Sequence, residues 1–173
     1  MIRDTIHISG LTDLGKFLET LPKKLERNVL RAALKAGAKV VKEAAQANCP
    51  VAAPSRKGAR VYGGYPGALR DSLRYDAKID LKGGKVMAYV RAGGKARGKG
   101  ADTFYASWVE YGTAAHDNGY FMHPGARSDR PFMRPALDAE AGRALLVIGN
   151  YIKMRLETRH GLDTAGITVG VDE

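Results

Sequence analysis

Leu11, Leu14, Leu18 and Leu21 recur at spacings of three and four along GLTDLGKFLETLP, with Thr12 or Asp13 placed to cap the first turn. That period predicts a short amphipathic helix, which Pro22 interrupts. From Lys23 to about Asn48, Leu25, Val29, Ala32, Ala33, Ala36, Val40, Ala44 and Ala47 keep the helical spacing, while Lys24, Arg27, Arg31, Lys35, Lys39 and Lys42 lie mainly elsewhere on the wheel. The apolar stripe of this long helix is mostly alanine with Gly37 inside it, shallow enough for a sheet or a second helix to come close. Pro50 ends it.

The period then changes. Residues 51–67, VAAPSRKGARVYGGYPG, are broken by prolines and paired glycines and read as a loop. Leu73, Tyr75, Ala77, Ile79 and Leu81 alternate with Arg74, Asp76, Lys78 and Asp80, the pattern of a strand covered on one face. After a Lys82-Gly83-Gly84 turn, Val86, Ala88 and Val90 alternate with Met87, Tyr89 and Arg91, completing an antiparallel hairpin. Residues 92–101, AGGKARGKGA, hold nothing to bury and are expected to form a flexible basic loop or a strand extension.

Asp102 or Thr103 can cap a short helix carrying Phe104, Tyr105, Trp108, Val109 and Tyr111, which Gly112 ends. Residues 113–129 read as irregular. The segment Arg130-Pro131-Phe132-Met133-Arg134-Pro135 then leads into a helix from about Ala136 to near Gly161, with Leu137, Ala141, Leu145, Ile148, Ile152 and Leu156 on one face. Ile167 to Val171 is an edge strand or a tail. These elements predict an α+β fold: a long N-terminal helix and a C-terminal helix packed on a small antiparallel β-sheet, with mobile basic loops.

A length of 173 residues suits one domain, with its core in 10–160 and a tail or edge strand in 162–173. Hydrophobic residues make up 45% and charged residues 27%, which excludes wholesale disorder. The apolar runs are far shorter than a membrane span, and MIRDTIHISG has no apolar signal core, so a soluble, unexported chain is expected. The single cysteine, Cys49, forms no intramolecular disulfide and no cysteine zinc cage alone.

Net charge is +10, and its location matters more than its size. Residues 1–50 carry 9 basic and 5 acidic side chains, residues 51–101 carry 12 and 3, and residues 102–173 carry 7 and 10. A cationic middle beside a weakly acidic end suits a polyanion or an acidic face on another subunit, and equally a solvated surface.

Motifs of catalysis are incomplete. Gly93 to Lys99 nearly spells a phosphate-binding loop, but Gly100 stands where a Ser or Thr would hold magnesium, and no buried parallel strand precedes it. His116, Asp117 and His123 share a loop at spacings that fit no metal motif and read as ordinary polar residues; no metal and no cofactor are expected. Cys49 lies between an alanine helix and Pro50, which suits a half-buried small side chain better than a nucleophile. Glu110, flanked by Val109 and Tyr111, has no second carboxylate to work with as a general acid; it is expected to pair with Arg130 or Arg134, or to cap backbone amides. The aromatic group Phe104, Tyr105, Trp108 and Tyr111 fits core packing or a subunit contact better than base stacking. Tyr62 and Tyr65 among arginines are a weak sign of single-strand binding.

Several of these strings, in this order, resemble the phage tail-completion or neck proteins typified by the gene-ten product of the siphophage HK97. The resemblance runs from about Gly10 to Arg155, through GLTDLGKFLETLP, LRAALKAGAKVVKEAAQANCPV, GALRDSL, FYASWVEYGT and RPFMRPALDAE. The 92–101 and 113–129 segments depart from it. It implies a non-catalytic virion protein that forms a homo-oligomeric ring, a hexamer for example, at the head–tail junction. Its partners would be head–tail connector, tail terminator or tail tube proteins, with DNA in the lumen and no membrane.

On that expectation Arg56, Lys57, Arg60, Lys95, Arg97 and Lys99 face DNA or an acidic neighbouring ring. Trp108, Glu110, Tyr111, Gly112, Thr113, Arg130, Pro131, Phe132, Arg134 and Pro135 are expected to form a subunit interface or an architectural motif. In the motif, the prolines fix the backbone, Phe132 plugs an apolar pocket and Arg134 pairs with a carboxylate. A nonspecific basic nucleic-acid-binding protein is the alternative.

Overall fold

A computed structural model describes residues 8–51, 65–82, 84–94, 102–117, 122–123, 130–164 and 166–171. The fold is α+β. Its elements in order are β1 (Ile8–Ser9), α1 (Leu11–Glu19), α2 (Lys23–Asn48), α3 (Ala68–Ser72), β2 (Arg74–Asp80), β3 (Lys85–Arg91), α4 (Ala106–Tyr111), β4 (His116–Asp117), β5 (Met122–His123), α5 (Met133–His160) and β6 (Gly170–Val171). They form two compact units, residues 1–41, 75–89 and 139–173 in the first, and 42–74 and 90–138 in the second.

The first unit is centred on Leu14, Leu18, Val29, Ala33, Ile152 and Leu156. The leucine spacing of α1 therefore buries Leu14 and Leu18 as its period predicts. Neither Thr12 nor Asp13 caps that helix. Gly10 occupies the cap position with φ +76, its carbonyl takes the Leu14 N–H at 3.0 Å, and no side chain assists. A Cβ on Gly10 would lie 1.9 Å from the Thr168 carbonyl oxygen, so the close pass of the C-terminal segment, together with the positive φ, selects glycine here. Two residues farther on that segment forms a short strand: β6 pairs antiparallel with β1, Ile8 opposite Val171 and Ser9 opposite Gly170.

The Pro22 carbonyl receives the Leu25 and Glu26 N–H groups and so starts α2, while the missing proline N–H ends the preceding turn. Gly37 serves helix–helix approach: a Cβ there would stand 2.6 Å from Ile148 Cγ1 and 3.0 Å from the Ala144 carbonyl oxygen of α5. In the hairpin of β2 and β3, the four connecting residues are too few for a parallel crossover, so the strands run antiparallel. Polar contacts hold β2 to α2. Arg31 Nε donates to the Ala77 carbonyl at 2.9 Å, and Lys35 lies 3.1 Å from the Asp76 carboxylate and over the Tyr75 ring. The alternating pattern overstated the hairpin's burial: Ala77 is buried, Leu81 is 74% exposed, and β3 has no buried residue. The side of α2 that meets β2 presents cations and gives the strand little apolar surface.

The second unit packs Ala45, Cys49, Leu69, Leu73, Ala106, Phe132 and Ala136 together. GALRDSL contains a five-residue helix that the sequence pattern does not predict, α3, behind Gly67 at φ +89. Ser72, buried at its end, donates to the Leu69 carbonyl at 2.7 Å and accepts the Gly93 N–H at 3.1 Å. Residues 113–129 are not wholly irregular, because β4 and β5 pair antiparallel with His116 opposite His123.

Helix α5 begins at Met133, three residues before the predicted start, since Pro135 in the first turn needs no N–H partner there. The single-face reading of α5 fails. Leu137 is 53% and Leu145 39% exposed, whereas Ala136, Ala144, Ile152 and Leu156 are buried. Ala136 packs in the second unit and Ile152 and Leu156 in the first, so the buried side shifts along the helix. Likewise α2 buries Val29 and Ala33 in the first unit, then Ala45, with Cys49 just beyond its end, in the second.

Candidate functional site

Helix α4 is short because Gly112 stops it: φ 81 and ψ −169 are open to glycine, and the Gly112 N–H closes on the Trp108 carbonyl at 2.8 Å. Its expected side-chain cap is absent. Thr103 is buried with its hydroxyl donating to the Gly94 carbonyl at 2.7 Å, and its own carbonyl, not its side chain, receives the Ala106 N–H at 3.1 Å; Phe104 and Tyr105 precede the helix.

Glu110 occupies the last turn of α4 and is 3% exposed. Oε2 accepts the Phe132 and Met133 backbone N–H groups at 2.8 and 2.9 Å, and Oε1 accepts the Arg134 N–H at 3.0 Å and Arg134 Nε at 3.1 Å. Arg134 Nη2 donates in turn to the Glu110 carbonyl at 2.8 Å. The first N–H groups of any helix lack internal partners, and Pro131 and Phe132 bring no capping oxygen of their own. A carboxylate from another helix fills that role, its charge at the positive end of the α5 dipole. Burial pushes the Glu110 carboxyl up, but the three backbone N–H groups and the Arg134 guanidinium outweigh it and hold the group below the ordinary glutamate range. Phe132, just ahead of α5, is fully buried in the second unit's core.

The outer side of this joint is aromatic. Phe104 and Trp108 meet edge to face at 5.3 Å, Tyr111 is 67% exposed, and the Arg134 guanidinium lies 4.9 Å over the Tyr111 ring. Tyr105 and Val109 turn inward against the second core. Of the aromatic group, then, only Tyr105 packs in the core, and Phe104, Trp108 and Tyr111 form an exposed shelf. Gly112 and Thr113 sit half-buried behind it, Pro131 is half-buried, and Arg130 and Pro135 are exposed. The shelf is suited to contact: its carboxylate is fully engaged in holding two helices and offers no free oxygen for proton transfer.

Arg56, Lys57, Arg60, Lys95, Arg97 and Lys99 lie outside the described residues, as does most of the near phosphate-binding loop. What is described of the 92–101 segment is its stem. Gly94 accepts both the N–H and the hydroxyl of Thr103, and Gly93 accepts Arg74 Nη2 at 2.9 Å. Composition alone marked this stretch as unable to bury anything and missed Ser72 and Thr103, whose buried hydroxyls tie its base; a lone Ser or Thr in sequence carries no such signal.

Burial pushes the Cys49 thiol up to about 11 despite the nearby Arg70 charge, so it is a neutral core group and a poor nucleophile. Among the described residues no three His, Cys, Asp or Glu are grouped to hold a metal ion, and no helix is long and apolar enough to cross a membrane.

Residues 12–112, more than half of the chain, match the family model described as "Bacteriophage HK97-gp10, putative tail-component". No curated protein and no solved structure matches. The matched stretch includes Trp108, Glu110, Tyr111 and Gly112 and stops short of RPFMRPALDAE, which supplies the N–H groups that Glu110 holds.

Proposed function

The chain belongs to the HK97-gp10-like family of phage tail components, and we propose from that premise that it is a non-catalytic subunit at the head–tail junction. In this reading it assembles as a ring, six copies being the proposed number, and completes the tail against head–tail connector, tail terminator or tail tube proteins around the DNA passage. The observation that carries the reading is the aromatic shelf of Trp108 and Tyr111 on a helix that the family match includes, with Glu110 and Arg134 fixing it from behind. Exposed aromatics with a stacked arginine have the composition of interface centres. Gly112, Thr113, Arg130, Pro131, Phe132 and Pro135 shape the backbone that presents it. Arg56, Lys57, Arg60, Lys95, Arg97 and Lys99 are assigned to DNA in the lumen or to an acidic neighbouring ring.

Negative-stain images and the solution mass of the protein test this reading, together with its detection in mature particles. Rings, and the polypeptide in those particles, are expected. Absence from particles, or turnover of a substrate, overturns it. A lone monomer or dimer that binds duplex DNA with a steep salt dependence favours the alternative of a nonspecific nucleic-acid-binding protein.

A further inference from the structure

We propose that the outer side of α2 and the hairpin beside it form a track for the phosphates of duplex DNA, engaged through Lys24, Arg27, Lys82 and Lys85 without regard to base sequence. The inference deepens the assembly reading, on which it rests for the DNA it names, and assigns the contact to α2 and the hairpin of the first unit.

The track begins in the sequence. Lys23, Arg27, Arg31, Lys35 and Lys39 recur every fourth residue along α2, a row that rises about 24 Å. It stays on the outside because the buried Val29, Ala33 and Gly37 keep the same spacing two residues out of step, about 200° around the helix. Lys24 is exposed beside the row. The hairpin continues it: Gly84 and Val86 share a cleft with Lys23 and Arg27, and Lys82 and Lys85 are exposed at that turn.

Localisation separates this surface from an ordinary solvated face. Residues 23–39 and 75–89 hold nine cations and three acids, whereas the remaining described residues of the first unit hold five of each. The three acids are already engaged. Glu26 lies 2.9 Å from Lys23, Asp76 lies 3.1 Å from Lys35 and accepts the Ala77 N–H, and Asp80 accepts the Lys82 N–H. Arg31 uses only Nε on the Ala77 carbonyl. Lys24, Arg27, Lys82 and Lys85 have no acidic partner among the described residues. Cations left without counter-charge at this density suit a polyanion.

Composition favours nucleic acid over an acidic protein. Centres of protein interfaces are aromatic or apolar and poor in lysine. Seven of the nine cations are lysines, no large apolar side chain between residues 23 and 39 is exposed, and the hairpin adds only Leu81 and Met87. Lysine heads on flexible stems meet phosphates as point charges and carry no base readout. The row runs the length of about seven base pairs, over which duplex presents one charge per about 1.7 Å.

The test uses the full chain. Lys24→Gln, Arg27→Gln and Lys85→Gln are combined in one variant, and Lys16→Gln, Arg143→Gln and Arg159→Gln, exposed cations elsewhere on the first unit, in a control of equal net charge. Thermal unfolding checks that both are folded, and fluorescence anisotropy over a salt series reads binding to a labelled duplex of about 25 base pairs. The track variant is expected to bind about a hundredfold more weakly at about 0.1 M salt and to flatten the salt slope by about 3, the control staying within about fivefold of wild type. Lys24→Gln alone should flatten the slope by about 1. Equal losses in the two combined variants show that net charge alone acts and overturn the track. Poly-glutamate that displaces the duplex equally well, charge for charge, overturns it in favour of an acidic protein face. A wild type that binds no duplex at about 0.05 M salt overturns it as well, and leaves the ring reading standing. Rings of the track variant are expected to persist, so the two readings fail separately.

Discussion

A single oxygen of Glu110 accepts both the backbone N–H and the guanidinium Nε of Arg134, at 3.0 and 3.1 Å, while Arg134 returns a bond to the Glu110 carbonyl. Two helices are thereby joined through one side-chain pair whose carboxylate is buried and whose arginine side chain is 58% exposed. Glu110→Gln keeps the shape but puts an amide donor where several N–H groups converge. It should cost about 2–4 kcal/mol at neutral pH in a denaturant titration, and restoration of full stability by an uncharged residue would show that the charge is dispensable.

The same pair sets a pH dependence. Because the folded Glu110 carboxyl titrates below its ordinary value of 4.5, its contribution is complete above that value and disappears as pH falls through the depressed folded one. The stability gap between wild type and Glu110→Gln should therefore narrow from pH 6 to pH 3. A gap that stays constant over this range contradicts the assignment.

Phe132 is fully buried beside Cys49, Leu69 and Ala136. Truncation to Ala should cost about 3–5 kcal/mol, and Phe132→Leu distinctly less, because the second leaves a smaller void. Calorimetric unfolding of both variants measures the difference.

Two glycines of neighbouring turns should respond in opposite directions. Gly10→Ala meets the Thr168 carbonyl at 1.9 Å in a positive-φ conformation, and separates β1 from β6. Gly15→Ala, inside α1 with nothing within 4 Å, should stabilise by roughly 0.5–1 kcal/mol. Their unfolding midpoints should move down and up respectively.

Cys49 should resist thiol reagents in the folded protein. A rise from 9.0 to about 11 lowers the thiolate fraction at pH 8 about a hundredfold, before burial slows access further. Labelling kinetics with and without denaturant check this; equal rates would mean that the core around Cys49 opens freely.

Much of the architecture follows from local rules. The α2 limits follow from Pro22 and Pro50, the α4 end from Gly112, and the hairpin from its alternation, because each depends on backbone chemistry within a few residues. Glu110 was also legible as a residue requiring a partner, since a carboxylate between Val109 and Tyr111 in an amphipathic helix must be satisfied. Other features were out of reach. That Leu137 and Leu145 face outward while Ala136 and Ala144 are buried depends on which core each turn of α5 joins, and a periodicity sum assumes one buried side throughout.

Local pattern is enough to place α1, α2, α4 and the hairpin and to mark which residue types need compensation, but not α3 or the first turn of α5. Only the tertiary structure decided the compensators: the carbonyl of Thr168 behind Gly10, Ile148 beside Gly37, and the start of α5 around Glu110. The physical reason is range. Caps, turns and helical period act over a handful of residues, whereas burial and charge pairing are settled by whatever the folded chain brings alongside, however far away in sequence.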